Sequence, residues 1–172
     1  MTSFFLTSSP NRLKSAAIAC GLLCLSTQIQ AEAGSDSPFS GLSGHWSGSG
    51  TVTLTSGTAE RIRCKATYAV NATGKAVQQT LRCASDSYRL EITSNVQSEA
   101  GLLSGSWSEA TRGMSGSISG RVRSSDIAVD VTGSGFAARL DVRTHGDKQS
   151  VTIRPQGGDT DVSAVSIALR KG

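Results

Sequence analysis

Apolar residues occupy every second position in short runs from about residue 45 onward, and clusters of Gly, Ser, Asp and Asn separate these runs. Such alternation is typical of β-strands that bury one face, and no segment of this region has helical periodicity. Nine turn clusters predict ten strands, which begin near Trp46, Glu60, Ala76, Tyr88, Leu103, Met114, Ile127, Phe136, Gln149 and Val162. The pattern therefore predicts an all-β domain.

The connections between the predicted strands are all short, and this decides how the strands pair. Short links join antiparallel neighbours, whereas a parallel crossover needs a dozen residues or more. A sheet with one apolar and one polar face can close on itself, which removes its exposed edges. We therefore predict a ten-stranded antiparallel meander that forms a closed or nearly closed barrel, with a β-sandwich as the alternative.

Cys64 and Cys83 are predicted to form a disulfide between two neighbouring strands. A hairpin that turns at residues 73–74 places Cys64 directly opposite Cys83 on the inner face. The remaining cysteines, Cys20 and Cys24, lie within residues 1–33, which are described below as a predicted secretory signal peptide. An exported chain enters a compartment that permits disulfides. A metal site would require nearby histidines, which the sequence does not supply.

Residues 1–33 have the composition of a secretory signal peptide. Arg12 and Lys14 precede an apolar run, and Ala31 and Ala33 supply small residues for cleavage. The run has about ten residues, whereas a membrane span needs roughly 20. A retained membrane anchor is the alternative interpretation of this leader.

The rest of the chain has the length of one ordinary domain. We expect residues 34–44 to form a flexible N-terminal segment and residues 45–172 to form the barrel. After processing, no transmembrane segment is expected, and the protein would be periplasmic or secreted.

Two tryptophans stand in the same frame, LSGHWSGSG at residues 42–50 and LSGSWSE at residues 103–109. In each frame a glycine two residues earlier lies on the same strand face, where it leaves room for the indole and lets the strand bend. The frame therefore predicts strands at the corners of a small barrel. Five aromatic side chains are candidates either for a filled core or for the lining of an apolar cavity: Trp46, Tyr68, Tyr88, Trp107 and Phe136.

The Gly-x-Trp on the first predicted strand resembles the opening of calycins, which include lipocalins, avidins and barrel inhibitors of secreted metalloproteases. The Thr-Asp-Tyr stretch typical of lipocalins is missing. The stretches GLSGHWSGSGTV, RIRCKATY, LRCASDSYRLEITSNV and QSVTIRPQG resemble a group of small exported β proteins of Gram-negative bacteria without an assigned activity. These resemblances imply a calycin-like barrel and a periplasmic or cell-envelope location.

The formal net charge of +4 is spread along the chain without a run of like charges. A nucleic-acid partner would require a concentrated basic face, so the sequence argues against one. Arg61, Arg63 and Lys65 nevertheless share the outer face of one predicted strand, and Arg82 stands opposite Lys65. Because like charges that face each other are mildly destabilising, this basic stripe is a candidate contact for an anionic partner such as an acidic lipid, lipopolysaccharide or an acidic protein. The alternative is that Asp86, opposite Arg61, and Glu91 dilute the positive charge.

The sequence contains no recognisable catalytic constellation. The two histidines, His45 and His145, are not accompanied by a distinctive nucleophile motif, and the acidic residues lie at outward strand positions or beside turns. We predict no metal and no cofactor. The expected function is a non-catalytic exported envelope protein that binds a small apolar ligand inside the barrel. The alternative is a protein-binding module, such as a protease inhibitor or a partner of another envelope protein, acting through the N-terminal stretch EAGSDSPFSG and the turns at the rims.

Overall fold

Ten β-strands build the protein, as seen in a computed structural model that describes residues 37–157 and 160–172. The predicted signal peptide, residues 1–33, lies outside the described residues. A 3-10 helix, Ser40–Leu42, precedes the first strand. The strands are β1 (Gly44–Leu54), β2 (Ala59–Val70), β3 (Ala76–Ala84), β4 (Arg89–Glu99), β5 (Leu102–Glu109), β6 (Met114–Arg123), β7 (Asp126–Gly133), β8 (Phe136–His145), β9 (Lys148–Pro155) and β10 (Val162–Lys171).

The strands form a closed antiparallel barrel. Each strand pairs with the next one along the chain, and β10 pairs with β1 to complete the circle. This confirms the predicted meander and excludes the sandwich. The prediction succeeded because period-two alternation fixes which side chains face inward, while the short turns leave antiparallel pairing as the available topology.

Cys64 and Cys83 face each other across β2 and β3, with their Cα atoms 4.1 Å apart, and they are joined by a disulfide. Both side chains point inward and are buried in the core. The register of the β2–β3 hairpin is therefore the one predicted from the position of its turn.

Removing the disulfide with the double substitution Cys64→Ala and Cys83→Ala should lower the free energy of unfolding by about 3 kcal/mol, since the bridge closes a loop of about twenty residues in the unfolded chain. Urea unfolding of the variant and the parent would measure the difference. A reductant should weaken the parent and leave the variant unchanged. Equal stability of parent and variant without reductant would contradict this prediction.

The two ends of the barrel differ in what covers them. One end carries the β2–β3, β4–β5, β6–β7 and β8–β9 turns together with the segment before β1; we call it the plugged end. The other end carries the β1–β2, β3–β4, β5–β6, β7–β8 and β9–β10 turns; we call it the mouth. In an antiparallel meander, alternate turns lie at opposite ends of the sheet.

The segment before β1 packs into the plugged end. Phe39, only 1% exposed, and Leu42 both belong to the core cluster. The backbone N–H of Phe39 donates to the Gly74 carbonyl in the β2–β3 turn at 3.1 Å, and the Ser37 hydroxyl donates to the Thr73 carbonyl at 2.8 Å. From residue 37 onward, the segment that was expected to be flexible, residues 34–44, packs against the barrel, because two apolar side chains find a buried site there.

Glycines allow neighbouring strands to approach each other very closely near both tryptophans. A Cβ added to Gly48 on β1 would lie 1.9 Å from the Ala168 carbonyl oxygen on β10, and one on Gly116 would lie 1.7 Å from the Thr132 carbonyl oxygen. The room for the Trp107 indole comes mainly from other strands, since Gly116 pairs with Trp107 and a Cβ on Gly133 would lie 2.9 Å from the ring. The frame thus marks regions where neighbouring strands approach closely, and the glycine preceding Trp107 in the same strand is one of several glycines that allow this.

Candidate ligand-binding site

The mouth is lined by inward-facing apolar side chains that the protein itself does not fully cover. In the described part of the chain, eight such residues from the mouth half of the barrel pack against the core but remain half-buried. They are Leu54, Leu90, Ile92, Met114, Phe136, Ile153, Val162 and Val165. One of them, Leu90, also lines the depression over β1 to β4; the other seven are candidates for contact with a ligand at the mouth.

The plugged end is packed and internally hydrogen-bonded. Tyr68 donates its hydroxyl to Gln149 Oε1 at 2.7 Å, and Gln149 Nε2 donates to the Thr144 hydroxyl at 3.1 Å. Burial raises the pKa of Tyr68 to about 12, although its hydrogen bond to Gln149 acts in the opposite direction. These three polar side chains therefore satisfy one another inside the barrel.

Trp107 and Phe136 form an aromatic pair beside the mouth. Their ring centroids lie 5.8 Å apart in an edge-on arrangement. The indole N–H of Trp107 donates to the Thr132 carbonyl oxygen on β7 at 3.0 Å, which fixes the ring against the wall. Trp107 is buried, whereas Phe136 at the start of β8 is half-buried and accessible from the mouth. Such a fixed aromatic pair is suited to contact an apolar ligand.

The five aromatic residues singled out from the sequence do not form one cavity. Trp46 and Tyr68 pack edge-on at 6.3 Å in the plugged end, and the Trp46 indole donates to the Leu42 carbonyl oxygen at 2.8 Å. Tyr88 lies outside the core in the β3–β4 turn, where the Arg112 guanidinium sits 5.0 Å from its ring centre. Only Trp107 and Phe136 are therefore placed to line the mouth, with Tyr88 on its rim.

Two carboxylates at the mouth hold turns in place. Glu109 is only 2% exposed, and it accepts the backbone N–H groups of Thr111 at 2.8 Å and Arg112 at 2.7 Å. Burial raises the pKa of Glu109, but these hydrogen bonds lower it by more, so the pKa lies below its usual range. Glu60 accepts the hydroxyls of Ser85 and Ser87, which likewise lower its pKa. Glu109 stands two residues after Trp107, so strand alternation places it on the inward face, but an acidic residue beside a turn is ordinarily solvent-exposed and its burial was not predicted.

The outer wall pairs most of its strand carboxylates with arginines. Asp130 binds Arg139 at 2.8 Å, Asp141 binds Arg154 at 2.9 Å, and Glu91 binds Arg82 at 2.8 Å. All three pairs join neighbouring strands and are largely exposed, so each contributes little to stability. They account for acidic residues that could otherwise be considered for acid–base chemistry.

An open depression with a volume of about 720 Å³ lies over β1 to β4. Three residues of the predicted basic stripe, Arg63, Lys65 and Arg82, line it, and the register pairs Lys65 with Arg82 as expected. Arg61 lies outside this lining, with a guanidinium nitrogen 3.5 Å from the Ser49 hydroxyl. Arg89, which the sequence did not single out, is a further lining residue.

Comparison with known proteins places the barrel among solved structures. No family model matches the chain, and no curated protein sequence matches it. The structure of Rv2717c from M. tuberculosis aligns with a TM-score of 0.62 and 14% identity, over 77% of this chain and 94% of that one. The barrel is calycin-like. The S-type phycobiliprotein lyase CPES from Guillardia theta aligns with a TM-score of 0.54 and 7% identity, over 78% of this chain and 90% of that one.

These two neighbours establish the fold alone, because both sequence identities are low. Within residues 37–157 and 160–172, no group of three or more His, Cys, Asp or Glu residues is arranged to hold a metal ion. The same described residues include no helix with the length and apolar character required to cross a bilayer.

Proposed function

We propose that this protein is an exported, non-catalytic envelope protein that binds a small apolar ligand at the mouth of its barrel. The observation that carries the proposal is the contrast between the two ends. Phe39, Leu42 and Trp46 are buried at the plugged end, where four apolar side chains, Val70, Val96, Ile127 and Val142, are half-buried. In the mouth half, eight apolar side chains are half-buried, including Phe136 and Ile153. Apolar surface that is left accessible within a concave site is the feature of small-molecule sites in barrels.

The dimensions of the barrel favour this function. Eight strands give an interior that side chains can just fill, and the diameter grows with strand number. This barrel has ten strands, and several inward positions are glycines, including Gly105, Gly116 and Gly120. A ligand seated against Phe136 and Ile153 would cover apolar surface that the chain leaves partly exposed, which supplies a hydrophobic driving force.

The proposal of export is supported by the composition of residues 1–33. The proposal of a non-catalytic role is supported by the hydrogen bonds and ion pairs of the carboxylates. Residues 1–33 combine basic residues, an apolar run and small residues near Ala31, in the order of a secretory signal. The carboxylate oxygens of Glu60 and Glu109 accept hydrogen bonds from turn residues, and Glu91 forms an ion pair with Arg82. Binding without conversion is therefore the function that these residues support.

The alternative, a protein-binding inhibitor, would act through a protruding N-terminal arm together with the turns at the rims. From Ser37 onward this segment is tied to the β2–β3 turn, and Phe39 is buried. The part of EAGSDSPFSG that the structure describes is therefore not available as a free arm. This observation favours ligand binding over the inhibitor.

The test uses Ile153→Glu, which places a charge among the apolar side chains of the mouth. Leu102→Glu is the matched control, because Leu102 is 55% exposed on the outer wall. Binding of a neutral apolar dye, N-phenyl-naphthylamine, would be followed by fluorescence. We expect Ile153→Glu to weaken binding at least about tenfold, since a ligand would have to desolvate the new charge. The control should bind as the parent does.

Circular dichroism would verify that both variants remain folded. Native mass spectrometry of protein purified from its own periplasm would show whether a ligand is carried, as an extra mass lost on denaturation. A parent protein that binds no dye and carries no ligand would refute the proposal. Equal weakening by Ile153→Glu and Leu102→Glu would place the binding site elsewhere and would also refute it.

A further inference from the structure

The depression over β1 to β4 is lined by four cations, Arg63, Lys65, Arg82 and Arg89, and by one carboxylate, Glu91, and we propose that it binds a phosphate group. Arg63, Lys65 and Arg89 are exposed, and among the residues that the structure describes none of the three takes part in an ion pair. All three line the same depression. The proposal concerns the outer wall and does not depend on a ligand at the mouth.

The two arginines flank a gap. Arg63 on β2 pairs with Ala84 on β3, and Ala84 pairs with Arg89 on β4. Neighbouring strands lie about 4.8 Å apart, so the backbones of Arg63 and Arg89 stand about 10 Å from each other. Only the methyl group of Ala84 lies between them. An anion above Ala84 could therefore be approached by both guanidinium groups.

A second row of residues adds one more free cation. Lys65 on β2 pairs with Arg82 on β3, and Arg82 binds Glu91 on β4 at 2.8 Å. Glu91 is thus already engaged by Arg82, and Lys65 remains opposite a like charge, an arrangement that costs stability. The hydroxyl of Ser47, which pairs with Lys65 on β1 and lines the depression, is a further hydrogen-bond donor. An anion bound here would relieve the repulsion.

The chemistry of these donors matches a phosphomonoester better than a carboxylate. A phosphomonoester carries about −1.5 to −2 charges at neutral pH and three strong acceptor oxygens. A carboxylate carries one charge and would leave two of the three free cations unmatched. Arginine forks fit phosphate oxygens in pairs, which adds geometric specificity. The depression, about 720 Å³, falls within the ~300–1,000 Å³ range of small-molecule sites, so it has room for the phosphate and the group that bears it.

The test compares the parent with the double variant Arg63→Gln and Arg89→Gln. The matched control is Arg121→Gln and Arg123→Gln, since these two exposed arginines lie on β6, away from the depression. The first probe is inorganic phosphate, titrated at constant ionic strength and followed by amide NMR shifts. The second probe is vesicles of phosphatidic acid in phosphatidylcholine, with oleic acid in phosphatidylcholine as a vesicle of similar charge but without the phosphomonoester.

We expect the Arg63/Arg89 variant to lose about tenfold or more in affinity, because two charge-assisted contacts disappear, and the Arg121/Arg123 control to match the parent. Binding of inorganic phosphate with this pattern supports the site and identifies free phosphate or a soluble phosphorylated molecule as its source. Binding confined to phosphatidic acid vesicles, with the same pattern, supports the site and identifies a lipid headgroup.

Three results would overturn the proposal. The first is no binding of either probe by the parent. The second is an equal loss in the two double variants, which would mean unspecific attraction to positive charge. The third is equal binding of oleic acid vesicles, which would remove the preference for phosphate. Retained circular dichroism and an intact Cys64–Cys83 bond would show that the variants are folded.

Discussion

Replacing Phe39 by alanine is expected to lower the free energy of unfolding by about 3–5 kcal/mol, although the residue lies outside every strand. Phe39 is 1% exposed and belongs to the same core cluster as Leu42 and Trp46. The loss combines the transfer of a large aromatic side chain with the cavity left behind, and the neighbouring barrel wall cannot collapse freely to fill that cavity. Urea unfolding followed by circular dichroism would measure it.

Leu102→Ala is the control for Phe39→Ala, since Leu102 is largely exposed on β5 and its truncation should change stability by no more than about 0.5 kcal/mol. A Phe39→Ala loss as small as that of the control would mean that the segment before β1 does not hold the plugged end together. It would then also weaken the distinction between the two ends on which the proposed function rests.

The barrel and its register could be predicted from the sequence, whereas the plug could not. Alternation fixes faces, and the turn at residues 73–74 fixes the pairing of Cys64 with Cys83. The stretch that contains Phe39 has no period of two and no helical period, so pattern reasoning has nothing to act on there. Its burial depends on a tertiary site made by the β2–β3 turn, far away along the chain.

The position of the candidate site was beyond the sequence for a different reason. Alternation along a strand predicts which side chains point inward. It does not predict how deeply each of them is buried, because burial also depends on the position of the residue along the barrel axis. Trp46 and Phe136 therefore look equivalent in the sequence, yet one is sealed by the plug and the other is accessible at the mouth. Tyr88 shows a further difference, because the start of β4 lies one residue later than predicted and leaves this side chain on the rim.

Three of the four cations that line the depression could be predicted from the sequence: Arg63, Lys65 and Arg82. The hairpin register predicted that Lys65 faces Arg82, and it does. The addition of Arg89 depends on the register between β3 and β4, where Ala84 pairs with Arg89 and Arg82 pairs with Glu91. No feature of the sequence fixed the register of that second hairpin. A basic stripe along β2 could therefore be predicted, but not a depression that extends over four strands.

Gly116→Ala is expected to lower the free energy of unfolding by more than about 4 kcal/mol, or to give no folded protein at all. The added Cβ would lie 1.7 Å from the Thr132 carbonyl oxygen and 2.8 Å from the Cα of Gly133. Both neighbours are backbone atoms of β7, so the clash could be relieved only by separating β6 from β7. That separation would break hydrogen bonds between β6 and β7. It would also displace the Thr132 carbonyl oxygen, which accepts the indole N–H of Trp107.

Gly41→Ala is the matched control for this substitution, because an added Cβ at Gly41 would have no heavy atom within 4 Å and should change stability by no more than about 0.5 kcal/mol. Soluble yield, near-UV circular dichroism and urea unfolding would compare the two variants with the parent. A Gly116→Ala protein as stable as Gly41→Ala would mean that β6 and β7 do not approach as closely as the structure shows. The close approach of β6 and β7 beside Trp107 would then be wrong, and the aromatic side of the proposed ligand site, where Trp107 contacts Phe136, would have to be placed differently.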